Sequence, residues 1–327
     1  MKIQKRPCKH LLSVALAILT SALPLHGSSK PNVVFILIDD ISHYGVSAYG
    51  AKQLNSTEGF FESVPVATPE IDRLANEGVL AKNAFAYAIC EPTRIALMTG
   101  MNNQRNFVQA KALHESHITF GDLFKRAGYT TGIAGKWKQS RGSSTIPGDA
   151  YVDQFGWDYI HCFDLLYEGP RHIDPNFVIN GKINWYKGLN PETKRRYYGP
   201  ELVNRFALDF IETHQDEAFF LYYPMLLVHD EHTPTPDTQP YEHYDNFEVM
   251  IHTGIKADNS FGAFKGDDRR FYPDMVAYMD KIIQDIKLLS SQVERCNQIL
   301  KRLSLNPSEE DDFIDEDLSM RDFLKDI

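Results

Sequence analysis

The sequence predicts an α/β protein with a mostly parallel central sheet, helices flanking that sheet, and a long helix near the C-terminal end. The apolar runs at residues 33–38 and 218–223 contain β-branched and aromatic side chains without polar alternation. Such runs are typical of strands buried on both faces of a parallel sheet. Helix patterns with start and stop signals lie between these runs, and strands separated by helices favour parallel pairing.

The elements follow in chain order. Thr68 and Pro69 suit the N-cap and first turn of a helix that Gly78 ends. A short helix over residues 93–99 is expected to end at Gly100, and another over residues 120–127 to end at Gly128. A strand over residues 129–134, a helix over residues 200–214 and the strand over residues 218–223 complete the alternation. In such sheets, binding sites gather at the carboxyl ends of the strands.

The last third of the chain has a different pattern. Apolar or small side chains recur at alternating steps of four and three over residues 273–303, which indicates a coiled coil or a helical hairpin. The positions are Met275, Met279, Ile282, Ile286, Leu289, Val293, Cys296, Leu300 and Leu303. These apolar positions could pack against a second copy of the chain, so a homodimer through the helix at residues 275–303 is one expectation. Residues 287–327 are interpreted as a helical extension followed by an acidic tail.

Composition and charge narrow the function classes. The chain has 327 residues, of which 43% are hydrophobic and 24% charged, a globular profile. Its formal net charge of −10 argues against affinity for nucleic-acid backbones. The four cysteines, Cys8, Cys90, Cys162 and Cys296, do not indicate a disulfide framework.

The N-terminus has the pattern of an export signal. A basic stretch precedes the apolar run at residues 11–25, and small residues follow at Gly27 and Ser28. The run is short for a membrane-spanning helix, which needs about 20 residues. We therefore predict a signal peptide over residues 1–27 and a periplasmic or secreted protein, with an uncleaved N-terminal anchor as the alternative.

Asp39 and Asp40 directly follow the first apolar strand. Two adjacent carboxylates about 4 Å apart repel by about 4 kcal/mol at an effective dielectric constant of 20. A divalent cation removes that penalty, and oxygen ligands favour Ca²⁺ or Mg²⁺. The alternative is a solvated loop in which both side chains point to water.

The motif with the most chemical content runs from Cys90 through Pro92 to Arg94 and closes on Thr99 and Gly100. Its form, Cys-x-Pro-x-Arg followed by a short helix, resembles the signature of bacterial sulfatases. In that family a maturation enzyme oxidises the cysteine to formylglycine. The physical chemistry agrees, because a helix N-terminus offers free N–H groups to a sulfate anion and an arginine adds a rigid donor.

Two further segments carry the same resemblance. Gly135, Lys136 and Trp137 are similar to a family segment whose lysine contacts the sulfate. Lys138 occupies a position that is often histidine in the family, where lysine keeps the positive charge but loses the proton-carrier role. His229, in the Val-His-Asp sequence after the strand over residues 218–223, is implied to be the general acid or leaving-group contact. Four other histidines lack motif support and are interpreted as structural: His43, His161, His172 and His232.

The resemblance implies the fold of the alkaline phosphatase superfamily, a catalytic domain over residues 28–286, and hydrolysis of a sulfated carbohydrate or an aryl sulfate. It implies Cys90, Arg94, Lys136 and His229 as catalytic residues. Lys136, Lys138 and His229 would contact substrate, and Asp39, Asp40 and position 90 would bind Ca²⁺ or Mg²⁺. The family's Asp-Asn-Gly segment, which completes the metal site, does not occur in the sequence. We therefore expect the N-terminal portion of a sulfatase with an incomplete catalytic domain.

Two other functions stay open from the sequence. One is a phosphoesterase or phosphonate hydrolase of the same superfamily, since some of these also use formylglycine. The other is a catalytically inactive truncated sulfatase, or a protein that interacts through its long helix.

Overall fold

The structure, a computed structural model, describes residues 30–56, 58–141, 148–163, 170–248 and 267–305, with side chains for all of these except 148–149 and 290–305. The expected signal peptide and acidic tail therefore lie outside the described residues. All the elements below belong to one unit, Asn32–Ile327. No helix within the described ranges has both the length and the apolar character needed to cross a membrane.

Strands and helices alternate along the chain as predicted. The strands are β1 (Val33–Leu37), β2 (Gln53–Leu54), β3 (Val64–Pro65), β4 (Thr130–Lys136), β5 (Tyr159–Phe163), β6 (Asn176–Ile179), β7 (Lys182–Trp185) and β8 (Phe219–Pro224). The helices are α1 (Pro69–Glu77), α2 (Cys90–Thr99), α3 (Asn103–Asn106), α4 (Phe120–Arg126), α5 (Gly199–Thr213), α6 (Glu242–Asp245) and α7 (Tyr272–Leu305). Short 3₁₀ segments cover His43–Gly45, Ser47–Tyr49, Gly148–Phe155 and Arg269–Phe271.

The main sheet of the described residues has the strand order β1-β8-β4-β5-β6-β7. The first four of these strands are parallel to one another, whereas β6 pairs antiparallel with both β5 and β7. The strand pair β2–β3 forms a separate small sheet. Strand β1 lies at an edge, and all five of its residues are partly exposed. This arrangement agrees with the α/β class predicted from the apolar runs.

The hydrophobic core has two parts. One contains α5, α7 and the side chains of β8 that contact them, including Phe210, Leu221 and Met279. The other contains Ile95 and Met98 of α2, and aromatic residues around Phe220. The sheet is therefore covered on both faces, as a parallel sheet requires.

Helix α1 begins at Pro69 as predicted, but Thr68 does not cap it with its side chain. The Thr68 hydroxyl instead contacts Ser47. The carboxylate of Asp280, from α7, accepts hydrogen bonds from the backbone N–H groups of Glu70 and Ile71, each at 3.0 Å. The cap therefore comes from a residue more than 200 positions later, which local sequence does not reveal.

Helix α7 is continuous over Tyr272–Leu305, so the predicted helical hairpin is wrong. The first half of the apolar seam is buried in the core of the same chain, since Met275, Met279, Ile282 and Ile286 are each at most 3% exposed. That half cannot be a surface for a second copy. Positions Val293, Cys296, Leu300 and Leu303 lie outside the described side chains.

Candidate active site

Cys90 is the first residue of helix α2, three residues earlier than the predicted start. Ile89 before it has an extended backbone, with φ −123° and ψ 145°, and Gly100 ends the helix with φ 65°. Pro92 fits because a proline in the first turn has no N–H that the helix needs. Cys90 is partly buried, and the helix directs its free N–H groups and positive dipole end at this position.

Asp39 binds two buried cations at the end of β1. Arg94 Nη2 lies 3.1 Å from Asp39 Oδ1, and Lys136 Nζ donates to Asp39 Oδ2. Lys136 Nζ also lies 3.6 Å from Cys90 Sγ. Strands β1 and β4 both flank β8, which brings these residues from distant parts of the chain to one end of the sheet. The structure therefore brings Cys90, Arg94, Lys136 and Asp39 together as the sequence predicts.

Gly135 allows Lys136 to reach this position. A Cβ atom at Gly135 would lie 1.9 Å from the carbonyl oxygen of Pro224, and its φ is +124°. Glycine is thus required by both the close approach of β8 and the backbone conformation.

His229 follows β8 and faces the same site. Its Nε2 lies 3.4 Å from Asp40 Oδ2. Its Nδ1 contacts the carboxylate of Asp230 and lies 3.1 Å from Arg171 Nη1. Asp40 has a positive φ of 55°, and its side chain is 55% exposed whereas that of Asp39 is 3% exposed.

Burial and partner charges act in opposite directions on the titrating groups. Burial would raise the pKa of Asp39, but the charges of Arg94 and Lys136 outweigh it and lower that pKa. Burial would likewise raise the pKa of the Cys90 thiol, but the hydrogen bond to His229 and the charge of Lys136 lower it. For His229, burial would lower the pKa, whereas hydrogen bonds to Asp230 and Cys90 raise it to about 9. The site therefore favours an ionised Asp39, a Cys90 thiol that loses its proton more readily than usual, and a protonated His229.

Lys138 lies beside this group with a φ of 54°. The hydrogen bond with His229 is the main cause of the lowered pKa of Asp230, and the positive charge of Lys138 adds to it. The structure thus brings Lys138 near the His229 side of the site. Its expected contact with substrate stays a prediction.

The structure adds Arg171 and Asp230 to the site through their contacts with His229, and neither was among the site residues predicted from the sequence. Asp230 directly follows His229 in the Val-His-Asp sequence, so its position beside the predicted histidine could have indicated it as a site residue. Arg171 had no such indication in the sequence, because its proximity to His229 depends on the fold alone.

The four histidines interpreted as structural all lie outside the catalytic group. His172 is fully buried, its Nδ1 lies 2.8 Å from the carbonyl oxygen of Glu231, and burial lowers its pKa to about 3. His161 is buried between aromatic rings, His232 contacts Asp267, and His43 is exposed.

The predicted metal ligands form only part of a cation site. Carboxylate oxygens are suitable donors for Ca²⁺ and Mg²⁺, but both oxygens of Asp39 contact cationic side chains. The part of the chain that the structure describes contains no group of three or more His, Cys, Asp or Glu side chains that could hold a metal ion. Within the described residues, Asp39, Asp40 and Cys90 thus do not form a complete metal site.

The mostly parallel sheet covered by helices, with Cys90 at a helix N-terminus beside two buried cations, has the alkaline phosphatase-like fold of solved sulfatase structures. The sulfatase family profile matches residues 31–293, and the chain belongs to that family. Sulfatases generally use a formylglycine and a divalent metal.

Individual relatives agree with this membership. N-acetylgalactosamine-6-O-sulfatase of Bacteroides thetaiotaomicron is 27% identical over 268 residues, covering 64% of this chain and 50% of the relative. N-acetylglucosamine-6-O-sulfatase of the same organism is 26% identical over 240 residues, covering 72% of this chain and 37% of the relative. A solved structure from work on glycosaminoglycan metabolism by that organism matches with a TM-score of 0.56 and 22% identity, over 82% of this chain and 60% of the other. The chain spans about half the length of these curated relatives or less.

Proposed function

We propose that this protein hydrolyses sulfate esters through a formylglycine formed from Cys90. The observation that carries the proposal is the contact of Cys90 Sγ with Lys136 Nζ at 3.6 Å, at the N-terminus of α2 and beside Arg94. A tetrahedral sulfate at this position meets free backbone N–H groups and two fixed positive charges. The two curated relatives are named for sugar 6-O-sulfates, which supports a sulfated carbohydrate as substrate, with aryl sulfates as the simpler alternative.

Formylglycine, when hydrated, supplies a hydroxyl nucleophile for sulfur and a second hydroxyl through which sulfate can later leave. Lys136 and Arg94 stabilise the negative charge that develops on the sulfate oxygens, and Asp39 holds both cations in place. His229, protonated at neutral pH, donates a proton to the departing alcohol oxygen. Asp40 and Asp230 orient its ring from opposite nitrogens. An unmodified thiolate lacks the second hydroxyl and so has no route to release sulfate.

The proposal implies further partners. A formylglycine-generating maturation enzyme must act on Cys90, and export to the periplasm or outside the cell follows from the expected signal peptide. Ca²⁺, with Mg²⁺ as the alternative, is the cation we propose for Asp39 and Asp40, since their donors are oxygens. Calcium takes about six to eight oxygen ligands, so two carboxylates alone supply part of such a site.

The decisive test replaces Cys90 with alanine. We expect Cys90→Ala, expressed with a maturation system, to lose sulfate release from 4-nitrophenyl sulfate by at least about 10³-fold, because a group acting as nucleophile has no substitute. Cys162→Ala, at a buried cysteine of β5, is the matched control and should retain turnover. Mass spectrometry of the peptide containing residue 90 should detect the aldehyde.

Three outcomes would favour another function. Full turnover by Cys90→Ala excludes the nucleophile assignment. Faster hydrolysis of 4-nitrophenyl phosphate than of the sulfate favours the phosphoesterase alternative. An unmodified thiol in wild-type protein, with no turnover and no bound calcium, favours an inactive protein that interacts through its helix.

For the long helix we propose a homodimer limited to residues 290–303. The spacing of four and three continues there through Val293, Cys296, Leu300 and Leu303, after the positions that the chain's own core uses. Sedimentation velocity should give a dimer mass for wild type and a monomer mass for Leu300→Glu. A monomeric wild type contradicts the proposal.

A further inference from the structure

Arg171 is a buried cation at the same end of the sheet as Cys90. It is 2% exposed, and its guanidinium carbon lies 5.0 Å from the ring centroid of Phe163, the last residue of β5. In the parallel register, Phe163 lies opposite Lys136 of β4. The aromatic ring thus holds the plane of the guanidinium close to the catalytic group.

The charge of Arg171 is not balanced as the other buried charges are. Arg94 and Lys136 share the carboxylate of Asp39. Among the residues that the structure describes, Arg171 forms no ion pair, and its Nη1 lies 3.1 Å from Nδ1 of His229. Its Nε is buried and has no hydrogen-bond partner within the described part of the chain. The nearby carboxylate of Asp230 already binds His229.

A buried guanidinium without a carboxylate is unfavourable unless another anion compensates it. Arginine is also the residue best shaped for two-point binding of a carboxylate, sulfate or phosphate. Arg171 lies at Nδ1 of His229 and Asp40 lies at Nε2, so the guanidinium contacts the opposite side of the imidazole from Asp40.

We infer that Arg171 binds a second oxyanion, carried by the alcohol part of the substrate next to the scissile sulfate ester. This inference rests on the proposed function and specifies its substrate class: a sulfated sugar that bears a further sulfate or a carboxylate. Arg171 is then a specificity residue on the leaving-group side, beside the histidine that serves the departing oxygen.

The test compares three probes with the full chain: D-glucosamine 6-O-sulfate, D-glucosamine 2-N,6-O-disulfate, and a 6-O-sulfated disaccharide that contains a uronic acid. Binding is measured by calorimetry, and kcat/KM by sulfate release. Arg171→Gln should weaken binding of a probe with a second anion at least tenfold more than it weakens binding of the monosulfate. For these probes, the affinity of Arg171→Lys should lie between those of the wild type and Arg171→Gln, since lysine keeps the charge and loses the planar guanidinium. Arg205→Gln, at an arginine whose side chain is 57% exposed on α5, is the control and should change nothing.

Selective loss with the disulfate identifies sulfate as the second anion, and selective loss with the disaccharide identifies a carboxylate. If Arg171→Gln weakens binding of all three probes equally, or of none, the inference is overturned. Binding of the monosulfate by the variant shows that the variant is folded. If the wild type binds the dianionic probes selectively but releases no sulfate, the proposed hydrolysis fails and the role of Arg171 stands. If the wild type hydrolyses the monosulfate and Arg171→Gln affects the monosulfate and the dianionic probes alike, only the present inference fails.

Discussion

Asp39 determines the charge balance of the active site, because its two carboxylate oxygens bind two different buried cations. Arg94 and Lys136 are 2% and 1% exposed, so neither charge is solvated by water. Their burial is tolerable only with a fixed counter-charge between them. We therefore expect Asp39 to be needed for folding as well as for the proposed chemistry.

We expect Asp39→Asn to lower the free energy of unfolding by about 3–5 kcal/mol, since it leaves two buried cations without a full negative charge. Asp40→Asn is the matched control, because its side chain is 55% exposed, and should cost less than about 0.5 kcal/mol. Urea unfolding followed by circular dichroism measures both. The double variant Asp39→Asn/Lys136→Met should recover part of the loss, and equal losses at positions 39 and 40 would contradict this account.

At this scale, the sequence predicted residues that belong to a motif and missed one that does not. Cys90, Arg94 and Lys136 each stand in a recognisable segment, and the structure brings them to one place. Arg171 has no segment of its own, and its role depends on the contact with His229 across 58 positions of sequence. Contacts of that kind depend on how the strands pack.

Among the elements, helix α7 differs most from its prediction. A spacing of four and three describes an apolar stripe on a helix but not the partner of that stripe. In the structure, the partner of its first half is the chain's own core around α5 and β8. A coiled-coil pattern and the pattern of a long core helix are alike over a few turns.

This burial can be measured directly. Met279→Ala should lower the free energy of unfolding by about 2–5 kcal/mol, because Met279 is fully buried and its truncation leaves a cavity. Leu288→Ala on the same helix is the control: Leu288 is 47% exposed, so its replacement should cost less than about 1 kcal/mol. Thermal or urea unfolding of the two variants distinguishes the cases. A larger decrease in the free energy of unfolding for Leu288→Ala than for Met279→Ala would mean that the face of α7 carrying Leu288, and not that carrying Met279, packs on the core.

The strands β5, β6 and β7 were not predicted, although one of their turns carries a clear signal. Asn180 and Gly181 between β6 and β7 have φ values of 46° and 74°, the conformation of a two-residue hairpin turn. An Asn-Gly pair between short apolar runs is the strongest local hairpin pattern, and here it was usable. Strand β5 is harder to predict, because its five residues include His161 and Cys162 and follow no long apolar run.

For the whole molecule, the strand order explains why three distant segments meet at one site. Strand β8 lies between β1 and β4 and is parallel to both, so the residues after each strand meet at one end. Asp39, Lys136 and His229 follow or end these three strands. The rule that sites gather at carboxyl ends of parallel strands was sufficient to predict this convergence from sequence. It could not predict the capping of α1 by Asp280, which depends on the packing of α7.

The stability of the folded molecule should fall in acid, and His161 accounts for a defined part of that fall. His161 is buried, its Nε2 has no partner, and burial lowers its pKa from 6.5 to about 4. Between these two pH values the unfolded chain binds a proton that the folded chain does not, so the free energy of unfolding decreases as the pH falls from 6.5 towards 4. From pH 7 to pH 5 the contribution is about 2 kcal/mol. The variant His161→Leu should lose that much less stability over the same interval, as measured by urea unfolding at each pH, whereas His43→Leu, at an exposed position, should follow the wild type. Parallel pH curves for wild type and His161→Leu would show that the imidazole is not held neutral in the core.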